Sequence, residues 1–378
     1  MATVSPTTRF LGIMCTMYDY LIIGGGISGL LTALELRRAG LKVCVLEKNT
    51  TGQESSWAGG GILSPLYPWR YPEAITALAQ WSQAHYPSYA NELHQQSGID
   101  PEYVGNGLLI LDCNEVQAAQ TWAATNQVNL QYLDAPALKT CEPELADCSQ
   151  ALWLPEVGQL RNPRLMKSLR QAALNAGVEI REHCPALNLQ TVGQQITGVI
   201  TPQGIMNAAQ VVVTSGAWSD GVLASLNLGL PVEPVRGQMI VFAAQAGLIS
   251  RIVLDGPHYI IPRRDGHVLV GSTVEYVGFD KHTTDAALEE LKYAGFNLIP
   301  RLADYEVTKH WAGLRPGSKH GIPYIGEHPE IKGLFINAGH FRNGVVLGIA
   351  SARLLADIAL QRTPILDPQP YRVGRFEA

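Results

Sequence analysis

The stretch Leu21-Ile22-Ile23-Gly24-Gly25-Gly26-Ile27-Ser28-Gly29-Leu30-Leu31 decides the fold. Leu21-Ile22-Ile23 is a continuous apolar run of the kind buried on both faces of a parallel sheet. After the glycines, Ile27, Leu30, Leu31 and Leu34 recur at i, i+3, i+4 and i+7, one face of a helix. Arg37 and Arg38 fall in its last turn, where positive charge suits the negative helix end, and Gly40 can terminate it. Val43 to Leu46 reads as a second buried strand that stops at Glu47. Strand, turn, helix and strand form one complete β-α-β unit.

Within that unit, Gly24-x-Gly26-x-x-Gly29 fits G-x-G-x-x-G in its required setting, a strand before and an amphipathic helix after. Gly24 permits the tight turn, Gly26 lets a pyrophosphate approach the backbone, and Gly29 lets the helix pack closely on the sheet. The helix N-terminus offers free N–H groups and partial positive charge to phosphates. A carboxylate at Glu47 accepts hydrogen bonds from ribose hydroxyls and repels a 2′-phosphate, so FAD or NAD is expected and NADP is not. Two more glycine loops, Gly59-Gly60-Gly61 and Gly339 to Gly344, can approach a ligand with bare backbone. Three such loops suit the longer cofactor, FAD.

Outward from this unit, the 378 residues suffice for two domains or one large two-part domain. Helical pattern resumes from Pro72 to Ser97 and again from Arg164 to Gly177, with strands at Leu108 to Leu111, Val178 to Arg181 and Val211 to Val213. From Pro231 the pattern turns β-rich. Tyr259-Ile260-Ile261 and His267-Val268-Leu269-Val270 flank Asp265-Gly266, a hairpin signal of type I′. A helix is expected over Asp285 to Ile299, a strand at Leu334-Phe335-Ile336, and a closing helix with Leu347, Ala350, Leu354 and Ile358 on one face. The expected fold is α/β (α+β overall): a Rossmann-like FAD-binding domain, residues 17–100, 163–228 and 307–366, with an inserted antiparallel β-sheet substrate domain, residues 101–162 and 229–306. Residues 1–16 read as a loose extension.

Apolar residues make up 46% and charged residues 16%, which places the chain among globular proteins. A net charge of -5 lacks the basic footprint of a nucleic-acid binder. The pairs Arg37-Arg38 and Arg263-Arg264 read as solvated surface. Six cysteines form no C-x-x-C pair and no zinc spacing, so no metal site is expected. Reduced thiols, and hence a cytoplasmic location, fit a long chain without a secretory signal. Cys44 reads as a small core residue. No apolar run is long enough for a membrane span.

Ile22-Ile23-Gly24-Gly25-Gly26-Ile27-Ser28-Gly29 with Glu47-Lys48 resembles the flavoprotein family that includes D-amino-acid oxidase, sarcosine oxidase and glycine oxidase. Ser55-Ser56-Trp57-Ala58-Gly59-Gly60-Gly61-Ile62-Leu63, Trp311-Ala312-Gly313-Leu314-Arg315-Pro316-Gly317 and Gly339-His340-Phe341-Arg342-Asn343-Gly344 narrow the resemblance to the glycine oxidases of thiamine biosynthesis. It spans about Met17 to Ile365. The resemblance implies non-covalent FAD, with contacts carried over to Ile27, Ser28, Glu47, Lys48, Ser55, Ser56, Gly60, Gly61 and Ile62. It adds a backbone contact near Ala186 and a last segment of His340, Phe341, Arg342, Asn343, Gly344, Val345 and Val346. The family's substrate arginines match Arg315 and Arg342, and its active-site tyrosine matches Tyr259. Glycine, sarcosine or D-alanine and molecular oxygen are the implied substrates, and a homo-oligomer is the implied assembly. Pro257 stands where a relative carries histidine, and Val274 where a longer apolar side chain occurs; both positions are expected near the substrate pocket. No cysteine follows Cys184, which argues against covalent attachment of the flavin.

Amino-acid oxidation by a flavin moves hydride from the α-carbon, so the cofactor carries the hard step and the protein orients the reactants. An arginine fork grips both oxygens of a carboxylate, and Arg342, in a glycine-flanked loop, is the first candidate. Arg315, between Leu314 and Pro316, serves either substrate contact or structural pairing. Tyr259 offers a hydrogen bond and a pocket wall. The amine must be neutral, and an apolar pocket favours that form, so no dedicated base is required. His340 reads as a packing or backbone contact. Two other readings stay open: an FAD-dependent D-amino-acid or secondary-amine dehydrogenase that reduces a quinone, and a flavin-bound partner protein without turnover.

Overall fold

The computed structural model describes residues 17–375. The expected loose extension over residues 1–16 lies outside the described residues. The first β-α-β unit is β1 (Tyr18–Ile23), α1 (Ile27–Arg38) and β2 (Val43–Leu46), followed by a short α2 (Ser55–Ala58) and a long α3 (Glu73–Ser97). Next come β3 (Leu108–Leu111), α4 (Val116–Asn126), β4 (Gln131–Asp134), α5 (Ala135–Cys141) and β5 (Gln150–Leu154). Then follow α6 (Asn162–Asn175), β6 (Glu179–Arg181), β7 (Asn188–Val192), β8 (Gln195–Thr201), β9 (Gly204–Val213) and α7 (Ser219–Leu223). The β-rich part holds β10 (Val232–Ala243), β11 (Ile252–Asp255), β12 (His258–Pro262), β13 (His267–Gly271), α8 (Asp285–Leu298) and β14 (Val307–Ser318). The chain closes on β15 (Tyr324–Glu327), β16 (Leu334–Ala338) and α9 (Gly348–Ala359).

Two sheets organise these elements. The first runs β15-β16-β9-β1-β2-β6, with β8 and β7 extending from β9. Its centre is parallel, with Ile22 opposite Val45 on one side and Val212 on the other. Ile22, Val45 and Val212 are fully buried, as continuous apolar runs demand in a sheet covered on both faces. Leu30, Leu34, Leu354 and Leu355 join one core cluster with Leu165 and Leu169, which packs α1, α9 and α6 on one face. The first and last quarters of the chain thus share one core.

The second sheet runs β14-β10-β13-β12-β11-β3-β5-β4. It is antiparallel except where β3 and β11 run parallel. Leu291 and Leu298 of α8 pack with Ile240, Phe242, Val268 and Val270 of this sheet. The expected boundary at residue 307 differs from this arrangement. β14 pairs with β10 from Val232–Ser318 to Phe242–Val307, so Val307–Ser318 belongs with the second sheet. Two long strands of matched length satisfy each other's backbone groups better than β14 could at the edge of the first sheet.

Ser55–Ala58 forms a helical turn ahead of the second glycine loop. Two local expectations are corrected. The hairpin turn is longer than type I′: Arg263 N donates to His267 O, Gly266 N donates to Arg263 O, and Gly266, unlike Asp265, takes a positive φ of 91°. That is a three-residue connection ending in a left-handed glycine. Arg263 is buried rather than solvated.

Gly29 is where α1 meets the sheet most closely. A Cβ there would collide with the carbonyl oxygen of Gly24 and approach Thr214 Oγ1 to 2.8 Å. The obstacle is backbone, which cannot rotate aside. Gly29→Ala should lower stability by about 1–3 kcal/mol or more and weaken cofactor binding. Denaturant midpoints of apoprotein and cofactor-loaded protein check this. An alanine variant as stable as wild type would refute the close packing.

Candidate functional site

A cleft of about 330 Å³ lies along the carboxyl ends of β1, β2, β9 and β16. This is where open α/β sheets bind ligands. Ile23, Gly24, Gly26, Ile27, Ser28, Glu47, Lys48, Ser55, Ser56, Ala186, His340, Phe341, Gly344 and Val345 are among its walls. A second cavity of about 100 Å³ adjoins it through the shared residues Ser55, Phe341, Gly344 and Val345. Gly60, Gly61, Ile62, Tyr259, Arg315, Arg342 and Asn343 line that second space. Gly29 and Val346 lie behind the walls: Gly29 against Gly24, and Val346 in the core with 1% exposure.

The first cleft has the chemistry of a dinucleotide site. Its N-cap, Gly26, carries no side chain to occupy the α1 N-terminus. Ser56 Oγ accepts from Ile27 N at 2.9 Å, so it supports the helix start from the side. Glu47 Oε2 accepts from Gly25 N at 2.8 Å and Oε1 from Asn49 N at 2.9 Å. Each oxygen keeps a lone pair for a ribose hydroxyl, and the contact to Gly25 ties the carboxylate to the glycine loop. Lys48 places Nζ 3.2 Å from the Trp218 ring centroid, on the same wall. Pro185, Thr214, Ser215, Gly216 and Trp218 also line the cleft, and none was expected from the sequence as a site residue. For all but Pro185 the signal was the buried run Val211 to Val213 leading into Gly216-Ala217-Trp218: such a strand delivers its carboxyl end to the ligand edge of the sheet.

The second cavity gathers two charges, Arg315 and Arg342, and the Tyr259 hydroxyl from three distant segments. Arg315 Nη1 donates to Arg236 O and Thr273 O at 3.2 and 3.1 Å, and Nη2 to Ser272 Oγ at 2.8 Å. The structural pairing weighed for Arg315 is therefore present, in the wall of the cavity itself. Burial lowers its guanidinium below the ordinary arginine range, while Tyr259 pushes the other way. Arg342 Nη2 and Asn343 Nδ2 are buried without a hydrogen-bond partner. Tyr259 is 8% exposed; its hydroxyl lies 3.7 Å from Met239 Sδ and also interacts with the Arg315 guanidinium. Buried donors without acceptors are costly, so they mark where a ligand's oxygens fit. Pro257 is exposed in the turn after β11, and Val274 is exposed beyond β13; neither is among the residues that line the cavity.

The second glycine loop joins the two spaces. Trp311 Nε1 donates to Ala58 O at 2.9 Å, and Ser55 Oγ donates to Leu314 O, so β14 holds α2 against the second sheet. Gly61 has a φ of 82°, and a Cβ there would strike Leu160 O. Bare backbone is required at that point. The residues present therefore fit FAD: those of the first cleft would hold its ADP half, and Gly60 and Gly61 would border its ring. Among the described residues no group of His, Cys, Asp or Glu is disposed to hold a metal.

His340 is 2% exposed, its Nε2 has no partner, and burial pushes its imidazole from 6.5 down to about 4. It is neutral in the folded protein near pH 7, which removes it as a ready acid. Between pH 6.5 and about 4 the unfolded chain binds this proton and the folded chain does not. Its contribution to stability is complete above 6.5 and is lost as pH falls toward 4. Thermal melts across that range should decline with acid, and His340→Gln should flatten part of the slope. Equal slopes in both proteins would contradict the assignment.

The model of the FAD dependent oxidoreductase family matches residues 19–358. The glycine oxidase of Pseudomonas putida is 47% identical over 352 residues, covering 93% of this chain and 96% of its own. The bifunctional protein ThiO/ThiG of Synechocystis is 33% identical over 92% of this chain and 52% of its own. The crystal structure of glycine oxidase from Geobacillus kaustophilus superposes with a TM-score of 0.90 at 30% identity, covering 95% of this chain and 99% of that one. The chain belongs to the FAD dependent oxidoreductase family, and FAD is its cofactor.

Proposed function

We propose that this enzyme oxidises glycine and other small amino acids to the imine, which water converts to the 2-oxo acid (glyoxylate from glycine) and ammonia. Oxygen is the final acceptor and leaves as hydrogen peroxide. On this reading iminoglycine is released for the thiazole of thiamine, in the cytoplasm. The relatives named glycine oxidase support the substrate, and the free thiols of the five described cysteines fit a reducing compartment.

The observation that carries this reading is the unpartnered Arg342 Nη2 in the wall shared with Tyr259 and Arg315. When bound, FAD supplies the two-electron acceptor. The protein does the rest. Arg342 receives the substrate carboxylate through its free edge. Arg315, fixed by two carbonyls and Ser272, adds positive charge without freedom to turn away. Tyr259 closes the apolar side with Met239 and offers its hydroxyl to a carboxylate oxygen. The cavity is small, and Gly60 and Gly61 form part of its wall, so water is displaced around the amine. Desolvation favours the neutral amine that hydride loss requires, and the departing proton needs no dedicated base.

Anaerobic mixing with glycine, sarcosine and D-alanine, followed by flavin absorbance, tests substrate and chemistry together. Glycine should bleach the flavin, and air should restore it with hydrogen peroxide. Arg342→Ala should lower kcat/KM by about 100-fold or more, because it removes the carboxylate's buried partner. Bleaching without oxygen uptake, but with turnover of a quinone, would favour the dehydrogenase reading. No bleaching by any of the three amines would defeat the proposal.

A further inference from the structure

Arg263 is a buried cation that the reaction does not use. It directly follows β12, the strand that carries Tyr259, and it is 8% exposed. Nη1 donates to Gln159 Oε1 at 2.6 Å and to Leu160 O at 3.0 Å, and Nη2 donates to Gly60 O at 2.7 Å. None of these three acceptors belongs to its own hairpin. All lie in the second glycine loop or in the segment that pairs with it, where Leu160 N donates to Gly61 O at 2.9 Å. The nearby carboxylates are engaged elsewhere: Arg161 bonds Asp265 at 2.7 Å and Glu102 at 3.2 Å. Adjacent Arg264 is exposed and pairs with Asp100 at 2.8 Å.

Burying a guanidinium among neutral oxygens is unfavourable unless several hydrogen bonds offset the lost hydration. Here those bonds act on one peptide. In a planar trans peptide, the carbonyl of residue i and the N–H of residue i+1 point in opposite directions. Arg263 holds the Gly60 carbonyl, so the Gly61 N–H is directed away from Arg263. Both glycines line the cavity beside Tyr259.

We infer that Arg263 is a positioning residue for the flavin: by gripping the Gly60 carbonyl it fixes the Gly60–Gly61 peptide and locks the ring-binding loop to the hairpin that carries Tyr259. The planar fork suits this role because it bridges Gly60 and residues 159–160 at once. The site for the ADP half, from Gly24 to Glu47, lies on another wall and does not depend on it.

Titration of the apoprotein with FAD and, separately, with ADP tests the assignment. Arg263→Met should raise the Kd for FAD by about ten- to a hundredfold, the usual weight of hydrogen bonds to a charged group. Its Kd for ADP should stay at the wild-type value. Arg263→Lys keeps the charge but not the fork and should fall between wild type and Arg263→Met. Arg264→Met removes an exposed pair and should change the Kd for FAD by less than about fivefold. Unchanged FAD affinity in Arg263→Met overturns the inference. So does an equal loss of ADP binding, or an equal effect from Arg264→Met. If Arg263→Met does not fold, Arg263→Lys decides by the same FAD and ADP comparison.

Discussion

The contact of α1 with the turn after β1 sets the geometry of the whole site. Gly29 lies against the Gly24 carbonyl with no room for a side chain. Thr214, at the end of β9, donates its hydroxyl to the carbonyls of Ile23 and Gly24 at 3.0 Å. Helix, turn and neighbouring strand are therefore fixed in one piece, and the α1 N-terminus opens onto the cleft rather than onto solvent. The helix dipole and its first N–H groups are useful to a pyrophosphate only in that orientation. Glu47 completes the arrangement by accepting from Gly25 N, which ties its carboxylate to the glycine loop.

The second sheet acts on this frame through α2 and the glycines after it. Trp311 and Leu314 of β14 hold α2, while Gln159, Leu160 and Arg263 hold the loop that follows. The second sheet, which carries Tyr259 and Arg315, is thereby attached to the Gly59–Gly61 loop by hydrogen bonds. The consequence is chemical. Hydride transfer needs donor and acceptor held within a narrow range of distance, and rigid attachment supplies that order in advance.

Positive charge is concentrated in the second cavity, where Arg315 and Arg342 share the wall. Arg315 is held by carbonyl and hydroxyl oxygens, whereas Arg342 keeps one buried nitrogen unpartnered. The two arginines are thus not equivalent. The first is part of the wall, and the second has bonding capacity left for a ligand. His340, close by in sequence, is kept neutral by burial and adds no charge to this balance.

The sequence by itself determined the first β-α-β unit, the glycine pattern and Glu47. These are local features: strand, turn and helix follow from apolar periodicity and the conformational needs of glycine over some thirty residues. The helices α3, α6, α8 and α9 were legible for the same reason. Only the tertiary structure decided the rest. β14 joins the second sheet because β10 offers it a full-length partner far away in the chain. Arg263 and Arg264 are adjacent and chemically identical, yet one is buried under Gly60 and the other reaches Asp100 at the surface. Thr214, Ser215 and Trp218 reach the cleft because β9 lies beside β1. Such facts depend on which segments pack together, and a residue's nearest neighbours in the chain carry no record of them.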